Sequence, residues 1–316
     1  MTHILVGLDG SAFARAALPV AIGLARTLGA SIELVTVHEP EPGRHELSGS
    51  STQDQALDRD QLAQLHHAAV EALESARRYI VSLPDAPTVS TTVLTGVPAE
   101  RLLDHARARD AQLLVVTTHG LGGVSRQWMG SVTDALVRQA TLPIVTVRPP
   151  ERDAADTGAA TEPATEWALN TILVTLDGTG ASEQVLDCLQ GLVGDRAQYL
   201  LMRAATPLHP LLRAIATARE YDRDLTEQRV IADSYLDGVV SRLEQTGLRA
   251  TRYTAVDFAP ARAIVECAVE QAVDMIAIAT HGRGPIGRFM LGSVADKVVR
   301  TASRPVLLVR VPTEAS

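Results

Sequence analysis

The chain has 316 residues, 46% of them hydrophobic, with a formal net charge of −8 and a pI near 5.6. That acidic balance argues against a general affinity for the nucleic-acid backbone, which needs a basic footprint, but leaves room for a local anion site built of backbone amides. No apolar run approaches the roughly 20 residues that span a bilayer, and Cys188 and Cys267 lack the short spacing of a zinc knuckle or a disulfide framework; a reducing cytoplasm is the expected setting.

Short β-type runs alternate with helical patterns along the chain. Residues 4–8 read as a strand that starts almost at once, so no signal peptide is expected. Residues 12–28 read as a helix and 32–37 as a strand. Segment 39–52, rich in Glu, Pro, Gly and Ser, predicts a mobile surface loop. A long amphipathic helix follows, with Leu62, Leu65, Ala69, Leu73, Ala76 and Ile80 at spacings of 3 and 4. Residues 89–94 form the next strand, and Pro98 suits the first turn of the helix after it. Residues 113–117 then predict a strand, 132–139 a helix and 144–147 a last strand.

The same order returns in the second half. Val6-Gly7-Leu8-Asp9-Gly10-Ser11 is answered by Val174-Thr175-Leu176-Asp177-Gly178-Thr179, and Thr118-His119-Gly120 by Thr280-His281-Gly282. Met129-Gly130-Ser131-Val132 is answered by Leu291-Gly292-Ser293-Val294, and the run 142–148 by 304–310. Four stations in one order mean two copies, the second a few residues shorter in a middle loop. We therefore expect domains at 1–149 and 167–316 joined by a flexible linker at 150–166, which is polar and rich in Pro, Ala and acid. Runs such as 113–116 and 275–278 are apolar without alternation, which fits strands covered on both faces. The expected fold is α/β: two tandem doubly wound domains, each a five-stranded parallel sheet flanked by helices. Such sheets bind ligands beyond the C-terminal ends of their strands, where the winding reverses. The apolar last strands are expected at sheet edges, which need cover, and the two copies are expected to pack on each other as a pseudo-twofold pair.

Two stations fall at strand C-terminal ends. One is Asp9, with Asp177 in the second copy. The other is the loop after the fourth strand: Thr117-Thr118-His119-Gly120, nine residues, then Gly130-Ser131; in the second copy Ala279-Thr280-His281-Gly282, nine residues, then Gly292-Ser293. Each closing Gly-Ser pair opens a helix, whose exposed amides and dipole attract phosphate. Glycine allows close approach of the anion, and Ser131 or Ser293 adds a hydroxyl.

With these residues the chain resembles the universal stress protein family, whose phosphate motif is Gly, two residues, Gly, nine residues, Gly, then Ser or Thr. Both copies match the last two glycines and the serine, and depart at the first glycine, which is Thr117 in one and Ala279 in the other. The resemblance covers all but the linker. It implies the adenine nucleotide alpha hydrolase-like fold and an ATP-binding regulator or sensor in a stress or dormancy response, with Mg²⁺ accompanying ATP, protein partners of unknown identity and a homodimer of whole chains. It assigns Asp9 and Asp177 near the nucleoside, Val37 and Ala204 to the adenine pocket by their backbone, and Gly7 and Thr175 to a further lining position. It also assigns to the ligand Thr117, His119, Gly120, Gly130, Ser131, Val132 and Thr133, and Ala279, His281, Gly282, Gly292, Ser293, Val294 and Ala295. Neither nucleic acid nor membrane is an expected partner, and no metal-ligating or catalytic residue is expected.

Each residue has a plainer use. Asp9 and Asp177 are good helix caps, and a Gly-Ser pair starts many helices. His119 and His281 have no evident nucleophile or orienting acid in sequence, so structural or backbone use is expected. His66 and His67 are adjacent on a helix and cannot face one ligand together. Arg126, Arg283 and Arg288 lie in the nine-residue loops, where they neutralise phosphate or are solvated. Lys297 is the only lysine, so there is no Gly-Lys-Ser/Thr P-loop. The alternatives are a nucleotide-free interaction module of the same fold, favoured by Thr117 and Ala279, and a weak ATP hydrolase.

Overall fold

The structure, a computed structural model, describes residues 2–11, 13–38, 59–118, 129–149, 166–207, 218–281 and 291–311; of residues 59–63, 65, 218 and 281 the backbone alone is described. The first half contains β1 (His3–Gly7), α1 (Ala17–Leu28), β2 (Ser31–His38), α2 (Arg59–Val81), β3 (Val89–Thr95), α3 (Pro98–Ala108), β4 (Leu113–Thr117), α4 (Ser131–Gln139) and β5 (Ile144–Val147). The second contains β6 (Thr171–Thr175), α5 (Gly180–Leu192), β7 (Gln198–Ala205), α6 (Ala218–Gln245), β8 (Ala250–Val256), α7 (Pro260–Glu270), β9 (Met275–His281), α8 (Ser293–Thr301) and β10 (Val306–Val311). Loop 39–52 and the linker, apart from Glu166, lie outside the described residues. Ser31 and Gln198 stand 167 apart, Val89 and Ala250 161 apart, so the shortening of the second copy falls between its second and third strands.

The strands form one ten-stranded sheet in the order β3-β2-β1-β4-β5-β10-β9-β6-β7-β8. Within each half all pairs are parallel. Two apolar layers flank it. One joins α1, α2, α5 and α6 to residues such as Ile4, Val6, Ile172 and Val174; the other joins α3, α4, α7 and α8 to Leu5, Leu114, Leu173 and Ile276. Adjacent strand residues thus enter opposite layers, and this double coverage is why the runs are continuously apolar. The winding reverses between β1 and β4, and between β6 and β9.

One acid interrupts the apolar run of β2. Glu33 has 2% side-chain exposure and meets His3 Nε2 at 2.9 Å, His105 Nε2 at 2.9 Å, Arg109 Nε at 3.1 Å and the Thr92 hydroxyl, which donates at 2.6 Å. These groups lie toward the N-terminal ends of the strands, away from the candidate site.

The halves join through their last strands. β5 and β10 pair antiparallel, with Val145 opposite Leu307, Ile144 opposite Leu308 and Thr146 opposite Val306. Val145 and Leu307 are equivalent positions of the repeat, so the pseudo-twofold passes through that pair. The flanking contacts obey the same symmetry. Arg148 donates to the carbonyl of Arg300, and Arg310 to the carbonyl of Arg138 at 2.9 Å. Each half thus places a cation on the C-terminal turn of the other half's α4 or α8, where carbonyls lack helical donors.

Trp167 adds a second tie between the halves. It packs on α1 at Gly23, where an added β-carbon would overlap the Trp167 carbonyl and ring. Gly23→Ala is therefore expected to force Trp167 off the helix. Overpacking of this kind costs ~1–3 kcal/mol, only partly offset by about 1 kcal/mol of helix propensity. The thermal midpoint should fall by a few degrees and tryptophan emission should move to the red. An unchanged midpoint with unchanged emission would contradict this packing.

Candidate functional site

β1 ends in the turn Asp9-Gly10-Ser11, where Gly10 has φ +81°. Asp9 Oδ1 accepts the Ser11 amide at 2.9 Å, and Ser11 Oγ accepts the Ala14 amide at 3.0 Å. In the second copy Asp177 Oδ1 accepts the Thr179 amide at 2.9 Å and its hydroxyl at 2.6 Å, and Thr179 Oγ1 accepts the Ser182 amide at 3.2 Å as the cap of α5. In both copies one carboxylate oxygen therefore holds its own turn rather than capping the following helix, as the plainer reading of the sequence expected: Thr179 caps α5, and no side chain caps α1.

The two turns differ in their surroundings. A β-carbon at Gly10 would meet nothing within 4 Å, whereas at Gly178 it would meet the Arg203 guanidinium at 3.0 Å. That guanidinium also lies over the Tyr235 ring, 5.1 Å from its centre. Arg203 stands one residue before Ala204 at the end of β7.

Across the switch point, α4 and α8 open on Gly130 and Gly292. Both N-caps have extended backbone, φ −56° and −57°, and no side-chain hydrogen bond caps either helix. The preceding Met129 and Leu291 are buried and anchor each helix start to the core. The Gly130 amide donates to Thr118 O at 2.8 Å. Neither glycine is required by the fold: an added β-carbon at Gly130 would lie 3.5 Å from Thr118 O, an ordinary contact, and at Gly292 would meet nothing within 4 Å. Ser131 and Ser293 are exposed at the first helical position.

Other residues expected at a ligand point elsewhere. Thr133 is buried and donates its hydroxyl to Thr117 O at 2.7 Å, tying α4 to the end of β4; Ala295, its equivalent, is buried in the core. At these positions only the backbone amide is left for an anion. Ala279 packs in the layer of α1, α2, α5 and α6, and Thr117 is buried at the end of β4. A β-carbon at the first-glycine position is thus taken up by the core in the second copy. A β-carbon at Gly7 would meet Val116 at 3.1 Å and Leu102 at 3.5 Å, so that face is filled by packing, and Thr175 turns its hydroxyl to Ala277 O at 3.3 Å. Val37 and Ala204 are half-buried at the ends of β2 and β7, and Val132 and Val294 pack partly against the α3, α4, α7, α8 layer. His119, Gly120, Gly282, Arg126, Arg283 and Arg288 lie outside the described residues, and His281 is the last residue of β9.

The sequence did not reveal the Arg203–Tyr235 stack or the arginines at the joint. Arg148 and Arg310 were visible only as matching ends of the repeat. Asp134 and Asp296 near the helix starts are each bound by an arginine one turn on, Arg138 and Arg300. Pairing of these acids with i,i+4 arginines limits their repulsion of an anion at the same helix end. Among the described residues no group of three or more His, Cys, Asp or Glu could hold a metal ion.

Comparison with known proteins identifies the family and the fold. The model of the Universal stress protein family matches residues 1–148 and again 168–310. A universal stress protein of Thermus aquaticus is 32% identical over 145 residues, 46% of this chain and 97% of its own length. One from Mycolicibacterium smegmatis is 25% identical over 229 residues, 71% of this chain and 69% of its own. The crystal structure of a universal stress protein from Archaeoglobus fulgidus DSM 4304 aligns with a TM-score of 0.65 at 13% identity over 98% of both chains, a likeness of fold. Twice matched along its length, the chain belongs to the Universal stress protein family.

Proposed function

We propose that each half holds one adenine nucleotide, ATP above all, and that the chain acts as a nucleotide-responsive regulator in a stress or dormancy response rather than as an enzyme. The observation that carries this reading is the pair of helix starts at Gly130 and Gly292. Each has glycine where the fold would accept a side chain, no side-chain cap, and a place across the switch point from Asp9 or Asp177. A polyphosphate there would accept the first-turn amides and the Ser131 or Ser293 hydroxyl. With no three-ligand metal group among the described residues, Mg²⁺ would arrive on the phosphates. Among the described residues no helix is long and apolar enough to cross a membrane, and a cytoplasmic setting with protein partners, including a second copy of the chain, belongs to the same proposal.

Calorimetry against ATP, ADP and AMP tests it, with ATP expected to bind. Neither His119 nor His281 should act as an essential base: alanine at each should leave ATP affinity within about tenfold, ~1.4 kcal/mol. A robust hydrolysis activity abolished by either variant would instead favour a hydrolase.

A further inference from the structure

The histidines set aside in the sequence as a pair, His66 and His67, separate in the structure. His67 makes a solvent-exposed ion pair with Glu71 at 3.6 Å. His66, on α2, faces His38 at the end of β2, their ring centres 5.9 Å apart and their planes inclined by 43°. His38 Nε2 is buried without a hydrogen-bond partner, and it is the only such side-chain nitrogen or oxygen among the described residues. A buried polar atom left unpaired is disfavoured, so an atom of this kind points to a ligand.

We propose that His38 and His66 together bind a divalent transition-metal ion of the zinc, nickel and copper class, with water completing its coordination. The spacing fits. A zinc ion sits about 2.0–2.1 Å from an imidazole nitrogen, which places two rings sharing one ion with centres roughly 5–6.4 Å apart. Imidazole suits these ions and must be neutral to bind them. No carboxylate is needed: two imidazoles and water leave exchangeable positions, unlike a closed structural site. The site belongs to the first copy only, because β7 ends on Ala205 where β2 ends on His38. The proposal does not depend on nucleotide binding.

The test is a Zn²⁺ titration of the full chain by calorimetry, without nucleotide. One equivalent should bind to the wild type. His38→Ala and His66→Ala should each weaken it at least about tenfold, and His67→Ala should leave it unchanged. His66 is exposed, so its variant should fold normally and keeps the test interpretable if His38→Ala is unstable. A wild type that takes up no Zn²⁺, or a His38→Ala, His66→Ala double variant that binds it as tightly as the wild type, would overturn the proposal.

Discussion

The double variant Gly130→Glu, Gly292→Glu is expected to lose all measurable ATP binding while keeping the wild-type fold. The argument has a steric and an electrostatic part. Phosphate must approach backbone amides to about 3 Å, and any side chain at the N-cap stands in that path. A glutamate adds a negative charge in a partly desolvated pocket, where repulsion exceeds its value in water. Together these should weaken each site at least about a thousandfold, ~4 kcal/mol. Folding should survive. Both positions have φ near −57°, which every residue adopts, and the added β-carbon meets at most Thr118 O at 3.5 Å. Gly130→Glu alone should remove the first site and Gly292→Glu the second. Circular dichroism checks the fold and calorimetry the binding. A folded double variant with unchanged affinity would refute the site assignment.

Replacing Glu33 by Gln is expected to cost about 3 kcal/mol at pH 7. Burial alone would push the Glu33 carboxyl up, but hydrogen bonds from Thr92, His105, His3 and Arg109 outweigh it and bring the pKa from 4.5 to about 2. A depression of that size corresponds to roughly 3 kcal/mol of stability. Because the folded value is the lower one, this stability is fully present above pH ~4.5 and is lost as pH falls toward 2. The gap between wild type and variant should therefore shrink on acidification. Urea unfolding at pH 7, 5 and 3 measures it. A gap that is constant with pH would show that the carboxylate charge is not what holds α3 to the sheet.

These two sites differ in how far the sequence discloses them. The period of the apolar residues and the repeat disclosed ten strands, their order of appearance and the starts of α4 and α8, because each of those is a local pattern; α1, expected from residue 12, begins at Ala17 after a 3-10 turn at Ala14–Ala16. Gly130-Ser131 and Gly292-Ser293 were found from nine-residue spacing within a single loop. That the apolar edge strands β5 and β10 needed cover was legible in the sequence, while their pairing with each other was what the family resemblance implied. No local pattern in the sequence marked Glu33 or its partners. His3, His105 and Arg109 lie 30, 72 and 76 residues away, and only the folded sheet brings them together. The same holds for His38 and His66, and for Trp167 against Gly23. Side-chain direction was the other gap. The sequence marked Thr133, Ala295 and Ala279 as ligand positions, while strand alternation and helix phase turn their side chains into the core.

The nucleotide reading has its most direct test in the protein's own contents. Mass spectrometry of small molecules released from natively purified wild-type protein, quantified per chain, should find adenine nucleotide, with ATP prominent and up to about two equivalents. The Gly130→Glu, Gly292→Glu protein, purified in parallel, should release none. If the wild type carried no nucleotide and calorimetry with ATP, ADP and AMP gave no heat of binding, the account would be contradicted, and a nucleotide-free interaction module would take its place.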